Sequence, residues 1–312
     1  MLIAVILCPS AADADKTQLS EGMKIELKAL QSRMKLLSGR IQLSAVTTKG
    51  PHRLGAAINL SFSIEFDRDN IRVHRTDNDF DVTQRRIFNG TEYLRDSGRK
   101  DEIIRILDRD LVEVKRVSGG QADDMFHPRI LGVYSQGICV LDNFTIQDAL
   151  VVTGRTNETV RTEQFDGQTV KHISYRRSNG ALIDLWIAPD MDHSILKIQA
   201  TGKTSRQSIH SRYKKYRGAI WYPKTVLFEY FSKGQLVEEE TVTVKFAEFN
   251  IKVEPVRFSL FSLGPKVGAR VNKNGRDMIW NGRMLLTIQE AGARSRKKQR
   301  LSPDGKKTAA PK

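Results

Sequence analysis

A chain of 312 residues with 39% hydrophobic content is long enough to bury one large or two ordinary cores, which excludes a wholly disordered protein. Its formal net charge of +15 favours anionic partners, but the charge is unevenly placed: Arg294 to Lys312 hold eight Lys or Arg and one Asp. No stretch reaches the ~20 apolar residues of a helical membrane span.

The chain begins "MLIAVILCPSAADA", an apolar run from Leu2 to Leu7 followed by Pro9, small residues and an A-x-A pattern at Ala12-Asp13-Ala14. This predicts a secretory signal over 1–14 and a periplasmic or otherwise exported protein, although no Lys or Arg precedes the run. Leu7 is too large for the residue before a lipidated cysteine. With the signal removed, Cys139 would stand alone and could form no intramolecular disulfide.

In "QLSEGMKIELKALQSRMKLLSGR" the residues Leu19, Met23, Leu27, Leu30, Met34 and Leu37 recur at helical spacing. Ser20 is placed to cap the N-terminus and Gly39 to end the helix, which predicts an amphipathic helix over 20–38 with this stripe against a sheet. The sheet begins in "INLSFSIEF". Ile58, Leu60, Phe62, Ile64 and Phe66 alternate with polar residues, the mark of a strand buried on one face and paired antiparallel. "DRDN" then turns the chain into Ile71 and Val73. Further hairpins are signalled at Asn89-Gly90, Asp166-Gly167, Ser178-Asn179-Gly180 and Lys233-Gly234, joining sequence neighbours into a meander. Val242, Val244 and Phe246 continue the inward alternation.

Between Lys100 and Val152 the meander is interrupted. Ile103, Ile104, Leu107 and Leu111 fit helical spacing, and "TIQDALVV" supplies a second short helix. No repeat or linker breaks the chain, so one domain is expected over 15–293. The tail over 294–312 has almost no apolar residue to offset its ordering entropy and is expected to be disordered.

Candidate chemistry concentrates in "GALIDLWIAPDMDHSILKI", where Asp184, Asp190, Asp192 and His193 lie within ten positions. Pro189-Asp190 begins a turn between two strands, and Asp184 sits roughly 20 Å back along the first of them, too far to share a metal with the tip. The six histidines show no ligand spacing, and no nucleophile, nucleotide or metal motif occurs. No catalytic residue, cofactor or metal site is expected, and no specific nucleic-acid motif is present.

Three phrases carry a family resemblance: "FSIEFDRDNIRVHRTD", "GAIWYPKTVLFEYFSKGQLVEEETVTV" and "FSLFSLGPKVGARV". With the N-terminal helix and the interrupted meander, the stretch from Leu19 to Val271 resembles the LolA and LolB superfamily of periplasmic lipoprotein carriers. The resemblance implies a mainly β, α+β fold: a curved antiparallel sheet forming an unclosed β-barrel, covered by the N-terminal helix and the mid-chain helices. It also implies a non-enzymatic carrier or sensor whose concave apolar side binds a lipid or an acylated protein. Such a face is too wide for its own side chains to fill, and methionines make a deformable lid. The candidate ligand contacts are Met23, Leu27, Leu30 and Met34 on the helix, with Leu60, Phe62, Ile64, Trp186 and Trp221 on the sheet. Two alternatives stay open. The helix could close on the sheet and leave no cavity, or the chain could bind an anionic envelope surface or polymer. The second would use the basic tail, a departure from the family, with Arg176-Arg177 and Lys214-Lys215-Tyr216-Arg217.

Overall fold

The computed structural model describes residues 19–49, 58–68, 70–78, 82–89, 91–96, 104–108, 131–132, 155–217 and 219–300. The signal-like segment 1–14 and the "TIQDALVV" segment lie outside these residues. Two compact units emerge. The first comprises Met1–Arg68, Arg75–Asp81 and Met125–Val253, and the second Asp69–His74, Val82–Asp124 and Glu254–Lys312.

The first unit contains helix α1 (Glu21–Met34) and strands β1 (Ser38–Lys49) and β2 (Ile58–Asp67). β3 (Asn70–Asp77) is divided between the units, and β4 (Val82–Phe88), β5 (Glu92–Asp96) and β6 (Ile104–Asp108) belong to the second. The chain returns to the first unit with β7 (Thr156–Phe165), β8 (Gln168–Arg176), β9 (Leu182–Ala188), β10 (Ser194–Thr201), β11 (Ser205–Tyr216), β12 (Ile220–Ser232) and β13 (Gln235–Phe249). These strands run in the order β2-β1-β13-β12-β11-β10-β9-β8-β7, every neighbour antiparallel. β7 ends the order with β8 as its strand partner, so the sheet is open.

The alternation in β2 translates directly into packing. Leu60, Phe62, Ile64 and Phe66 are buried, and opposite them stand Ala45, Leu43, Ile41 and Gly39 of β1. The Asp166-Gly167 and Lys233-Gly234 turns have positive φ at both residues (50° and 73°, 50° and 78°), the backbone that matches the twist of a two-residue hairpin.

In the second unit β4, β5 and β6 form antiparallel hairpins, and β14 (Arg270–Lys273) joins β6 in parallel. β15 (Arg276–Trp280) and β16 (Leu285–Thr287) follow antiparallel, and helix α2 (Ile288–Arg300) closes the described chain.

Three sequence expectations need correction. Ile104–Asp108, read as helical, is a strand: Ile104 and Ile106 are buried and Arg105 exposed, a period of two that is too short in sequence to be distinguished from helical spacing. Phe246 does not continue the inward alternation. A bulge places Gln42 opposite Phe246 directly after Leu43 opposite Val244, so Lys245 is the extra residue. The parity therefore flips: Phe246 is 41% exposed, and Ala247 and Phe249 are buried instead. Finally, residues 294–300 continue α2 rather than lacking structure. Its start is a capping box in which Thr287 Oγ1 accepts from the Glu290 amide (3.2 Å) and the Glu290 carboxylate accepts from the Thr287 amide (2.8 Å).

The β12–β13 turn offers a direct check on this backbone. Nothing lies within 4 Å of a side chain added at Gly234, so Gly234→Ala should cost only its conformational strain, about 1–2 kcal/mol. Lys233→Asn, a residue suited to left-handed backbone, should instead raise stability by a few tenths of a kcal/mol. Thermal or urea denaturation of both variants measures the contrast.

Candidate functional site

Helix α1 starts where the sequence places it. Ser20 is extended (φ −63°, ψ 164°) and its hydroxyl accepts from the Met23 amide at 3.2 Å. It ends earlier than expected, at Met34, and Gly39 serves β1 instead: a side chain there would meet the Phe66 ring 2.8 Å away. The larger difference is rotational. The buried face is Gly22, Glu26, Ala29 and Arg33, whereas Met23, Leu27, Leu30 and Met34, one position later, are half-buried. Leu37 is exposed.

Charge explains this orientation. Glu158 on β7 receives the Gly22 amide (3.1 Å) and the Ser20 hydroxyl (2.9 Å), a carboxylate docked on a helix N-terminus. Glycine leaves room for this geometry, since a Cβ at position 22 would lie 2.8 Å from that carboxyl group and push it aside. Arg155 then joins Glu158 (3.1 Å) to Glu26, which it grips through both terminal guanidinium nitrogens, Nη1 at 2.8 Å. Glu26 is fully buried, and the guanidinium lies 4.0 Å from the centre of the Tyr175 ring. Burial alone would lower the Arg155 pKa, but the hydrogen bonds and charges of Glu26 and Glu158 outweigh it and hold the value above that of ordinary arginine. Burial, reinforced by Glu26, pushes the Tyr175 phenol up.

Towards the other end of α1, Arg33 is buried with no carboxylate partner among the described residues. It donates to Tyr213 Oη (2.7 Å) and to the Leu131 carbonyl (3.4 Å), and its guanidinium lies over the Tyr213 and Tyr222 rings at 5.3 and 5.1 Å. Its Nη1 has no hydrogen-bond partner among the described residues. The Tyr213 hydroxyl passes the chain on to the Ile195 carbonyl at 3.0 Å. Burial raises the pKa of this phenol.

The acidic tip is a turn, and it also serves α1. Pro189–Met191 form a single 3₁₀ turn, and Asp192 and His193 both adopt left-handed backbone. The Asp192 carboxylate accepts from Ser32 Oγ (2.7 Å) and Lys35 Nζ (3.1 Å). Asp184 is separate, bonded from β9 to His172 Nε2 at 3.0 Å. Among the described residues no group of three or more His, Cys, Asp or Glu is placed to hold a metal ion.

The remaining sheet positions fall into two groups. Leu60, Phe62 and Ile64 are buried together on β2, whereas α1 packs on β7, β9 and β10. Trp186 alternates with Leu185 and Ile187 and so points to the opposite face from Tyr175 and α1. It stacks on His172 (4.4 Å, 10°), donates to Glu163 at 2.8 Å and lies under Lys197. Its bond holds the Glu163 carboxyl below the ordinary range. Trp221 and Trp186 pack on one apolar cluster of Val170, Ala188, Met191 and Leu196. The two tryptophans therefore share one cluster, which also takes Tyr213, the phenol bonded to Arg33 of α1. A cleft of about 480 Å³ at the β10–β11 and β12–β13 turns, lined by Lys203, Arg206, Phe231 and Lys233 among others, includes no residue of α1.

No known family model matches the chain, and no curated protein matches it in sequence. Solved structures do. The chain is similar to LolA superfamily proteins. One, from Nitrosomonas europaea, aligns with a TM-score of 0.45 and 11% identity over 78% of this chain and all of its own. A domain described as an outer-membrane lipoprotein-sorting protein, from Vibrio parahaemolyticus, aligns at 0.46 and 11% over 78% and 97%. A DUF1329 family protein from Desulfovibrio piger aligns at 0.47 and 10% over the same shares.

The sequence missed the polar face of α1 because its partners lie 129 to 180 residues away. Two tests follow. Glu26→Ala leaves Arg155 buried with its main partner gone and should cost about 3–5 kcal/mol, whereas Arg33→Met removes an unneutralised buried charge and should change stability by under ~1 kcal/mol or raise it. Denaturant titration separates them. At the tip, burial would raise the Asp192 pKa, but the Ser32 and Lys35 bonds win and depress it. Its contribution is thus complete above the ordinary carboxyl range near pH ~4 and is lost as pH falls through the depressed value. Protection factors against hydrogen exchange in the last turn of α1, corrected for the intrinsic pH dependence of the rate, should fall over that acid window in the native protein, and Asp192→Asn should abolish the dependence.

Proposed function

We propose that the chain is a non-enzymatic, exported carrier or sensor that binds the acyl chain of a lipid, or of a lipid-modified protein, along Met23, Leu27, Leu30 and Met34. One observation carries this reading: α1 is fastened to the sheet by Glu26, Arg33 and the Glu158 contact, which leaves its apolar stripe only partly buried instead of consumed as core. A helix of ordinary structural role would turn that stripe inward, because each buried methylene contributes about 0.8 kcal/mol. Two of the four residues are methionines, whose flexible thioethers conform to chains of differing shape. The sequence resemblance to lipoprotein carriers points the same way. Of the sheet positions, Leu60, Phe62 and Ile64 shape the apolar face of β2, and Trp186 and Trp221 belong to their own cluster.

Mass spectrometry of an organic extract of the protein purified from its own host tests the proposal. Bound lipid is expected. Leu30→Asp should weaken binding of an apolar dye at least about tenfold, because a carboxylate beside an acyl chain must be desolvated. Leu30→Ala should cost less than the ~2–5 kcal/mol of a fully buried leucine. A lipid-free preparation that also ignores the dye removes the reading.

A further inference from the structure

The second unit displays a surface that the acyl-binding reading does not use. Val267 is 75% exposed, Phe261 55% and Met284 51%. They are neighbours. A Cβ at Gly282 would lie 3.2 Å from the Val267 side chain, and the Gly268 amide donates to the Trp280 carbonyl at 2.7 Å, which ties the 264–268 loop to the 281–284 turn. Phe261 stands edge-on to the buried Trp280, ring centres 5.0 Å apart. The turn is braced from within, since Asn281 Oδ1 accepts from the Arg283 and Met284 amides at 2.9 Å each. The apolar tips are therefore held outward by fixed backbone.

Each apolar tip has a cation beside it in sequence, Lys266 before Val267 and Arg283 before Met284, both exposed. Neither side chain has an ion-pair partner among the described residues. Residues 254–300 carry eleven Lys or Arg against three Asp or Glu, of which Asp277 is engaged by Arg270 and Asn272 and Glu290 by Thr287. Exposed Ile288 then opens α2, whose sequence "IQEAGARSRKKQR" becomes strongly basic. A soluble anionic polymer would need the charges but not the apolar tips. An anionic bilayer needs both, with short side chains reaching the acyl boundary and long cationic ones staying at the headgroups.

We infer that the paired tips Lys266-Val267 and Arg283-Met284, with Phe261, form a shallow interfacial anchor for an anionic lipid bilayer. Flotation of the full chain with vesicles of phosphatidylcholine, alone or containing about one-third phosphatidylglycerol, tests it. The protein should float with the anionic vesicles and lose most binding on the neutral ones. Val267→Asp combined with Met284→Asp should weaken binding at least about tenfold at an unchanged circular dichroism spectrum, since both side chains are exposed. Lys266→Gln with Arg283→Gln should reduce the preference for anionic vesicles. No flotation of the native chain, or equal flotation of the Val267→Asp, Met284→Asp variant, overturns the anchor. So does heparin binding of equal strength that ignores the apolar substitutions. If Leu30→Asp abolishes flotation while the tip variant floats normally, docking belongs to α1 and the anchor is wrong, whatever the outcome of the dye assay.

Discussion

The buried contact between Arg155 and Glu26 governs how the first unit uses its helix. Two charges removed from water are tolerable only when each satisfies the other, and here the geometry leaves little freedom: a two-pronged grip, a second carboxylate on Glu158 and an aromatic face below. Rotating α1 by one residue, about 100°, would bring Met23 and Leu27 onto the sheet but strand Arg155 in a dry interior. Apolar burial is non-directional and could accept either rotation. The ion pair cannot, so charge selects the face and hydrophobicity follows.

The opposite end of the helix is restrained by a different chemistry. Arg33 rests on two tyrosine rings and a phenol rather than on an anion, an arrangement that fixes position without full neutralisation. The exposed clasp of Lys35 and Ser32 on Asp192 adds a contact that salt and acid can loosen. One end of α1 is therefore held by a dry, well-matched ion pair, and the other by a buried cation on aromatic rings together with a clasp open to solvent conditions.

Much of this architecture was legible in the residues. The alternation of Leu60, Phe62, Ile64 and Phe66, the Ser20 cap and the glycine-bearing hairpins are local patterns, and local patterns are what a sequence displays. The phase of α1 was not legible, because the stripe and the buried face share the same period and differ only in partners distant along the chain. Phe246 was misplaced for a related reason: a bulge is a relation between two strands, visible only when Gln42 and Leu43 are laid beside β13. Ile104 to Leu107 form too short an apolar run for either period to declare itself. In the candidate site, composition identified Trp186 and Trp221 as apolar, but not that alternation along β9 turns Trp186 away from the helix. The Asp-rich tip was recognised as a turn, yet its bond to α1 crosses 160 residues and left no local trace.

The position of Glu158 and Arg155 in the chain has a consequence for biogenesis. As the polypeptide emerges from its N-terminus, α1 is made long before either residue that secures it, and β1 must wait for β13, about two hundred residues later, to gain its second neighbour. Until then the nascent chain carries an amphipathic helix with an unanchored apolar stripe and a strand with one open edge, both adhesive surfaces. Contacts of such long sequence separation form slowly relative to the individual hairpins. α1 and the second edge of β1 can therefore gain these contacts only after β7 and β13 have been made.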